Sequence, residues 1–148
     1  MILLTPEQRE RLLCNGRRQG LDHVPVVKFF NPLGIGTWLV TELDEDGDTL
    51  YGLADLGEPE CGAFSLAEML EVELPLGMGI ECDILIEGEY PLSVYARAAR
   101  TAGRIVIDER SLRTAADRPD ALAGMSLSRR PDVLWRSPAP DRHRSDRP

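Results

Sequence analysis

Histidine supplies most catalytic bases, and 148 residues hold only His23 and His143. Ser65, Ser93 or Cys61 could act as a nucleophile beside His23. No nucleophile elbow or other known spacing accompanies them, so they read first as ordinary structural positions. Metal chemistry is the second candidate. Asp44, Asp46, Asp48 and Asp55 fall at places 1, 3, 5 and 12 of an EF-hand-like count. A calcium loop needs its glycine sixth and a bidentate glutamate last, between two helices. Here Gly47 stands fourth, the last acid is the shorter Asp, and strand-like sequence flanks the run. Adventitious cation binding at a solvated hairpin is the plainer reading, and neither a resident metal nor a cofactor is expected. Gly34-Ile-Gly36 and Gly77-Met-Gly79 read as turns, not phosphate loops. Cys14, Cys61 and Cys82 are odd in number and form no CxxC pair, which predicts buried free thiols.

Charge is distributed more unusually than these residues are. Between Lys28 and Arg97 there is no base, yet the stretch carries fifteen acids. The flanks are basic, at +2 for residues 1–28 and +5 for 97–148, leaving a net −8. A solvated face that happens to be acidic explains part of this. Fifteen like charges also repel one another, so a surface that steers onto a basic protein, or competes with nucleic acid for one, is the sharper reading. Negative charge argues against general nucleic-acid binding and against docking on anionic membranes. No apolar run is long enough to span a bilayer and residues 1–4 are too short for a signal peptide, so cytoplasmic residence is the expectation.

The elements that would position these acids follow from local signals. Thr5-Pro6-Glu7-Gln8 is a capping box with proline at the first helical position, predicting a helix over 6–15 or 6–19 that Asn15-Gly16 or Gly20 ends. It reads as a lid on the core. Val24–Phe30, Thr37–Leu43 and Thr49–Ala54 read as strands, the last two joined by the five-residue acidic tip Asp44–Asp48 with Gly47 at positive φ. Residues 55–60 read as loop, and Gly62–Phe64 as a short further strand. Ser65-Leu-Ala-Glu68 caps a short helix over 66–72. Ile80 to Ile86 alternates apolar and acidic residues, predicting a half-buried antiparallel strand. Pro91 opens a helix over 91–102, with Leu92, Tyr95, Ala96 and Ala99 on one face and Gly103 as its stop. Arg104–Ile107 is either a last strand or an extended connection.

From Thr114 the composition changes. Five of the eleven prolines, seven arginines and five aspartates lie in this tail. Such a composition predicts a flexible segment, and a single domain over 1–113. Within it Val133, Leu134 and Trp135 form an apolar cluster, able to anchor the tail by folding back or to serve as a linear binding motif.

Several ordered blocks carry a resemblance. Leu3-Leu-Thr-Pro-Glu-Gln-Arg9, Leu13-Cys-Asn-Gly16, Val24-Pro-Val-Val-Lys28 and Thr37-Trp-Leu-Val-Thr-Glu-Leu43 come first. Tyr51-Gly-Leu-Ala-Asp-Leu-Gly57, Pro59-Glu60, Phe64-Ser-Leu-Ala-Glu68 and Pro91-Leu-Ser-Val-Tyr-Ala96 follow. Over residues 2 to about 105 the chain resembles domain-of-unknown-function family 2958, small bacterial proteins often borne on plasmids and integrative elements. The tail departs from that pattern. The resemblance implies no reaction, cofactor or site residue, only a mobile-element context in which acidic counter-defence proteins also occur.

The expected architecture is α+β: a small, mostly antiparallel sheet with short helices. The expected function is a non-enzymatic interaction module that engages a basic protein, host- or plasmid-encoded. Glu42, Asp44, Glu45, Asp46, Asp48, Asp55, Glu58 and Glu60 are its predicted acidic patch. The alternatives are an enzyme using a carboxylate-bound metal at residues such as Asp55 and Glu60, and a structural subunit that docks through its tail.

Overall fold

The computed structural model describes residues 3–83 and 87–117, together with the strand at 133–135. Helix α1 (Pro6–Gly16) begins where its capping box requires. The Gln8 amide donates to Thr5 Oγ1 at 3.1 Å, and the Thr5 amide donates back to Gln8 Oε1 at 2.9 Å. Four strands then run as an antiparallel meander: β1 (Val27–Phe30), β2 (Thr37–Leu43), β3 (Thr49–Asp55) and β4 (Pro59–Ser65). Strand β5 (Glu81–Cys82) returns to pair antiparallel with β1, and β6 (Val133–Trp135) lies parallel to β4. The sheet order is β5-β1-β2-β3-β4-β6. Helices α2 (Leu66–Leu70), α3 (Leu92–Ala102) and α4 (Glu109–Ala116) complete an α+β architecture with a mostly antiparallel sheet.

Strand parity divides the side chains between two cores. Val27, Phe29, Trp38, Val40, Leu50 and Phe64 face α1 and α2, packing with Leu12, Leu66 and Met69. Leu39, Tyr51 and Leu53 face the other way, packing with Leu92, Tyr95, Ala99, Leu112 and Ala115 of α3 and α4. Both faces of the sheet are therefore covered. That is why Leu39 to Leu43 and Leu50 to Ala54 are buried continuously and not in alternation. One irregularity sits between Val40 and Glu42, where β2 shifts register against β3. Thr41 at that bulge donates its hydroxyl to the Tyr51 carbonyl, and its own carbonyl accepts from Asn15 Nδ2 at 2.9 Å.

Several expectations need correction. Pro59 and Glu60 are not loop; they begin a seven-residue β4. Arg104–Ile107 is an extended connection, and it leads into a further helix, α4, whose start Asp108 caps and whose buried face carries Leu112 and Ala115. Because Thr114–Ala116 belong to α4 and Ala115 is buried, the folded unit extends past residue 113. The alternating stretch at 80–86 pairs as strand at Glu81 and Cys82, with Ile80 buried; Ile84–Ile86 lie outside the described residues. So do most of the tail expectations and His143. Cys14 is exposed, not buried, because it falls on the outer side of α1 opposite Leu12.

Candidate functional site

The predicted acids sit at the two ends of β3, seven residues apart along an extended strand, which separates Asp48 from Asp55 by roughly 20 Å. At the β2–β3 tip most carboxylates are committed to local structure. Asp46 accepts from the Asp48 amide at 2.8 Å, the Thr49 amide at 2.9 Å and the Thr49 hydroxyl at 2.7 Å. Gly47 closes the turn at φ 76°, its amide donating to the Asp44 carbonyl. Asp48 reaches across to α2, accepting from Ser65 Oγ at 2.9 Å and from the Ala67 amide at 2.8 Å. Ser65 Oγ in turn accepts from the Glu68 amide at 3.1 Å. Glu45 is exposed and accepts from Arg17 Nε at 3.3 Å. Glu42 is only 3% exposed, so it presents no carboxylate to a partner. A groove of about 710 Å³ runs between the end of α1 and this tip, lined by Gly16, Arg17, Gln19, Asp44, Glu45 and Asp46.

The opposite end has a different character. Asp55 is engaged, accepting from the Gly57 amide and from the Ile105 amide, both at 3.0 Å; it ties the α3–α4 connection to the sheet. Glu58 and Glu60 are exposed, and among the described residues neither side chain forms a hydrogen bond or an ion pair. With Ala54 and Leu56 they border a shallow recess of about 210 Å³. The β1–β2 loop lies at the same end, since Phe30 pairs with Thr37, Thr37 with Asp55, and Asp55 with Pro59. It exposes Leu33 at 47% and Ile35 at 71%, beside Leu56 at 40%. Ile107 of the α3–α4 connection adds a further exposed aliphatic group. Glu81 pairs with Phe30 on the same row, extending the acids along this end. Of the bases near it, Lys28 is paired with Asp83 at 3.5 Å and Arg104 lies in the α3–α4 connection.

Among the described residues the groups suited to nucleophilic chemistry do not assemble as a triad. Ser93 donates its hydroxyl to Asp22 and not to His23, while its amide donates to the other Asp22 oxygen at 3.0 Å. Asp22 thus caps the start of α3 from 71 residues away, and no local spacing in the chain announces it. His23 Nε2 lies 2.9 Å from the Arg18 carbonyl. Ser65 is engaged as the α2 cap. Burial pushes the Cys61 thiol up to about 12, and the nearby Asp22 carboxylate pushes the same way, so the thiolate is disfavoured. Burial likewise raises Cys82. Asp44, Asp46, Asp48 and Asp55 cannot enclose one ion from both ends of β3. Among the described residues no three His, Cys, Asp or Glu side chains are grouped to hold a metal.

Two further arrangements went unread in the sequence. Tyr90 donates to Glu109 at 2.8 Å, and Arg113 donates to the same carboxylate oxygen at 3.1 Å. Both donors hold the Glu109 carboxyl below its usual range. Arg97, inside α3, is buried against α4. Neither could be placed without α4. Of the tail, the strand Val133–Trp135 pairs in parallel with β4 at Ala63 and Phe64.

The family model for proteins of unknown function designated DUF2958 matches residues 3–106. No curated protein and no solved structure matches the chain.

Proposed function

The chain belongs to the DUF2958 family, and on that premise we propose that it is a non-enzymatic interaction module. It engages a basic protein through the end of the sheet that carries Leu33, Ile35, Leu56, Glu58 and Glu60. One observation carries this reading: Glu58 and Glu60 are exposed and unengaged beside exposed aliphatic side chains. Acids at the β2–β3 tip are largely occupied in holding the turn and capping α2, so they contribute field more than contact. An apolar centre with a charged rim is the usual anatomy of a protein-binding patch. The apolar groups supply affinity, and the rim supplies orientation and association rate. A partner presenting lysine or arginine around an apolar knob fits it. In the mobile-element setting implied by the sequence resemblance, the partner is a host or plasmid protein that itself handles nucleic acid, and occupying its basic surface is a counter-defence role.

The test is affinity capture from the native host with three baits, washed at low and high ionic strength. The baits are the wild-type chain, Glu58→Lys/Glu60→Lys, and Glu45→Lys at the opposite end. A basic protein retained by wild type and Glu45→Lys, but lost from the double variant and from high salt, supports the proposal. Equal retention on all three baits rules out this end as the docking surface.

A further inference from the structure

From Leu92 to Ala99 helix α3 is buried all round, because the sheet covers one side and α4 the other. Arg97 falls inside that stretch and is 6% exposed. Its Nη1 donates to the Ala115 carbonyl of α4, while Nε is buried with no partner. Among the described residues no carboxylate pairs with it. A guanidinium does not lose its charge at physiological pH, so burying one without a counter-charge is unfavourable. Nη2 is also unbonded and, unlike Nε, is not sealed from solvent, so it is free to donate to an oxygen of a carboxylate or phosphate.

Arg97 lines a cavity of about 270 Å³ between α3 and α4. Arg110 and the hydroxyl-bearing Thr101, Ser111 and Thr114 line it too, and alanines form its apolar wall. No acid lines it. The acids at the start of α4 are occupied elsewhere: Asp108 accepts from the Ser111 amide at 2.8 Å, and Glu109 accepts from Tyr90 and Arg113. We propose that this cavity binds a small oxyanion, a phosphate monoester or a carboxylate. Arg97 meets it through Nη2, the guanidinium nitrogen that is neither bonded nor sealed from solvent, while Arg110 and the hydroxyls close around it. The volume lies just below the range usual for drug-sized ligands, which restricts the ligand to a small molecule. Nothing in this site depends on the docking end proposed above.

Full-length protein titrated with inorganic phosphate, glycerol phosphate, acetate and succinate tests the site. Melting temperature and the Arg97 Nε–H resonance are followed together. Saturable movement of that resonance with either class of anion, accompanied by a rise in melting temperature, is expected; the class that saturates identifies the headgroup. Arg110 is exposed, so Arg110→Glu leaves folding intact and should weaken binding at least about tenfold by placing a carboxylate at the mouth. Arg97→Gln, verified as folded by circular dichroism, should abolish it. No saturation with any of the four anions overturns the proposal. So does undiminished affinity in Arg110→Glu, which would mean an adventitious ion bound elsewhere.

Discussion

Asp48 joins three elements with one carboxylate, since the tip of the β2–β3 hairpin, Ser65 at the end of β4 and the first turn of α2 all meet on it. Asp48→Ala should therefore cost about 1–2 kcal/mol of stability, measured by denaturant unfolding, with no loss of partner binding once folded. The acid count was legible in the sequence, but the use of each acid was not. Whether a carboxylate is engaged depends on which amides the fold brings to it, and Asp48 and Asp22 find theirs 19 and 71 residues away. Cysteine follows the same logic. The exposed Cys14 should react rapidly with a thiol reagent at pH 8, and Cys61 should stay protected in the folded state. Cys61 also makes stability depend on pH. Its thiol ionises near 9.0 when unfolded but near 12 when folded. Its contribution is thus fully present below pH 9 and is lost as pH rises towards 12. Between pH 8 and 10 wild type should lose about 1 kcal/mol more than Cys61→Ala, as read from paired denaturation curves.

Helix α1 shows how an element is set by a close approach that its sequence advertises as something else. Asn15-Gly16 reads as a stop signal, and α1 does end there. Its larger role is contact with β2: a Cβ on Gly16 would stand 2.2 Å from the Leu43 carbonyl oxygen. Asn15 beside it holds the carbonyl of the bulged Thr41. Gly16→Ala should push α1 off the sheet and cost about 2 kcal/mol or more, seen as a fall in melting temperature. Strands β2 and β3 were legible because their β-branched and aromatic residues are bounded by glycine and acid-rich turns. Strand β4, Pro59-Glu-Cys-Gly-Ala-Phe-Ser65, was only half legible; its strand state comes from pairing with β3 and β6, not from its own residues. Helix α4 went unread although its signals are local: Asp108 caps its first turn, and Leu112 and Ala115 share one buried face while the other faces are polar. Leu112 is its one large apolar side chain, so the segment passes for part of the arginine-rich tail. Leu112→Ala should nonetheless cost about 3 kcal/mol. A chain ending at Arg113 should melt below one ending at Asp117, because only the longer one keeps Ala115 and the carbonyl that meets Arg97.

Across the whole molecule the base-free stretch resolves into two poles. One surrounds the β2–β3 tip, where Arg17 reaches Glu45 and the guanidinium of Arg9 lies against Gly47. Bases from the N-terminal flank thus offset acids that look unopposed in sequence. The other pole, with Glu58, Glu60 and Glu81, retains its charge beside exposed Leu33, Ile35 and Leu56. Sequence alone could not choose between them, because strand direction decides which loops share an end. The β3 register sets Asp55 and Asp48 apart, while the β1–β2 loop comes round to the Glu58 side. A long-range field from a net −8 acts at both poles, but contact energy requires groups free to make new bonds. The most direct measurement is the dissociation constant of the captured basic protein as a function of salt, for wild type and for Glu58→Lys/Glu60→Lys. The predicted result is binding at least about tenfold weaker in the double variant at low salt, with a flatter dependence on ionic strength. Equal affinities for the two proteins at every salt concentration would contradict it.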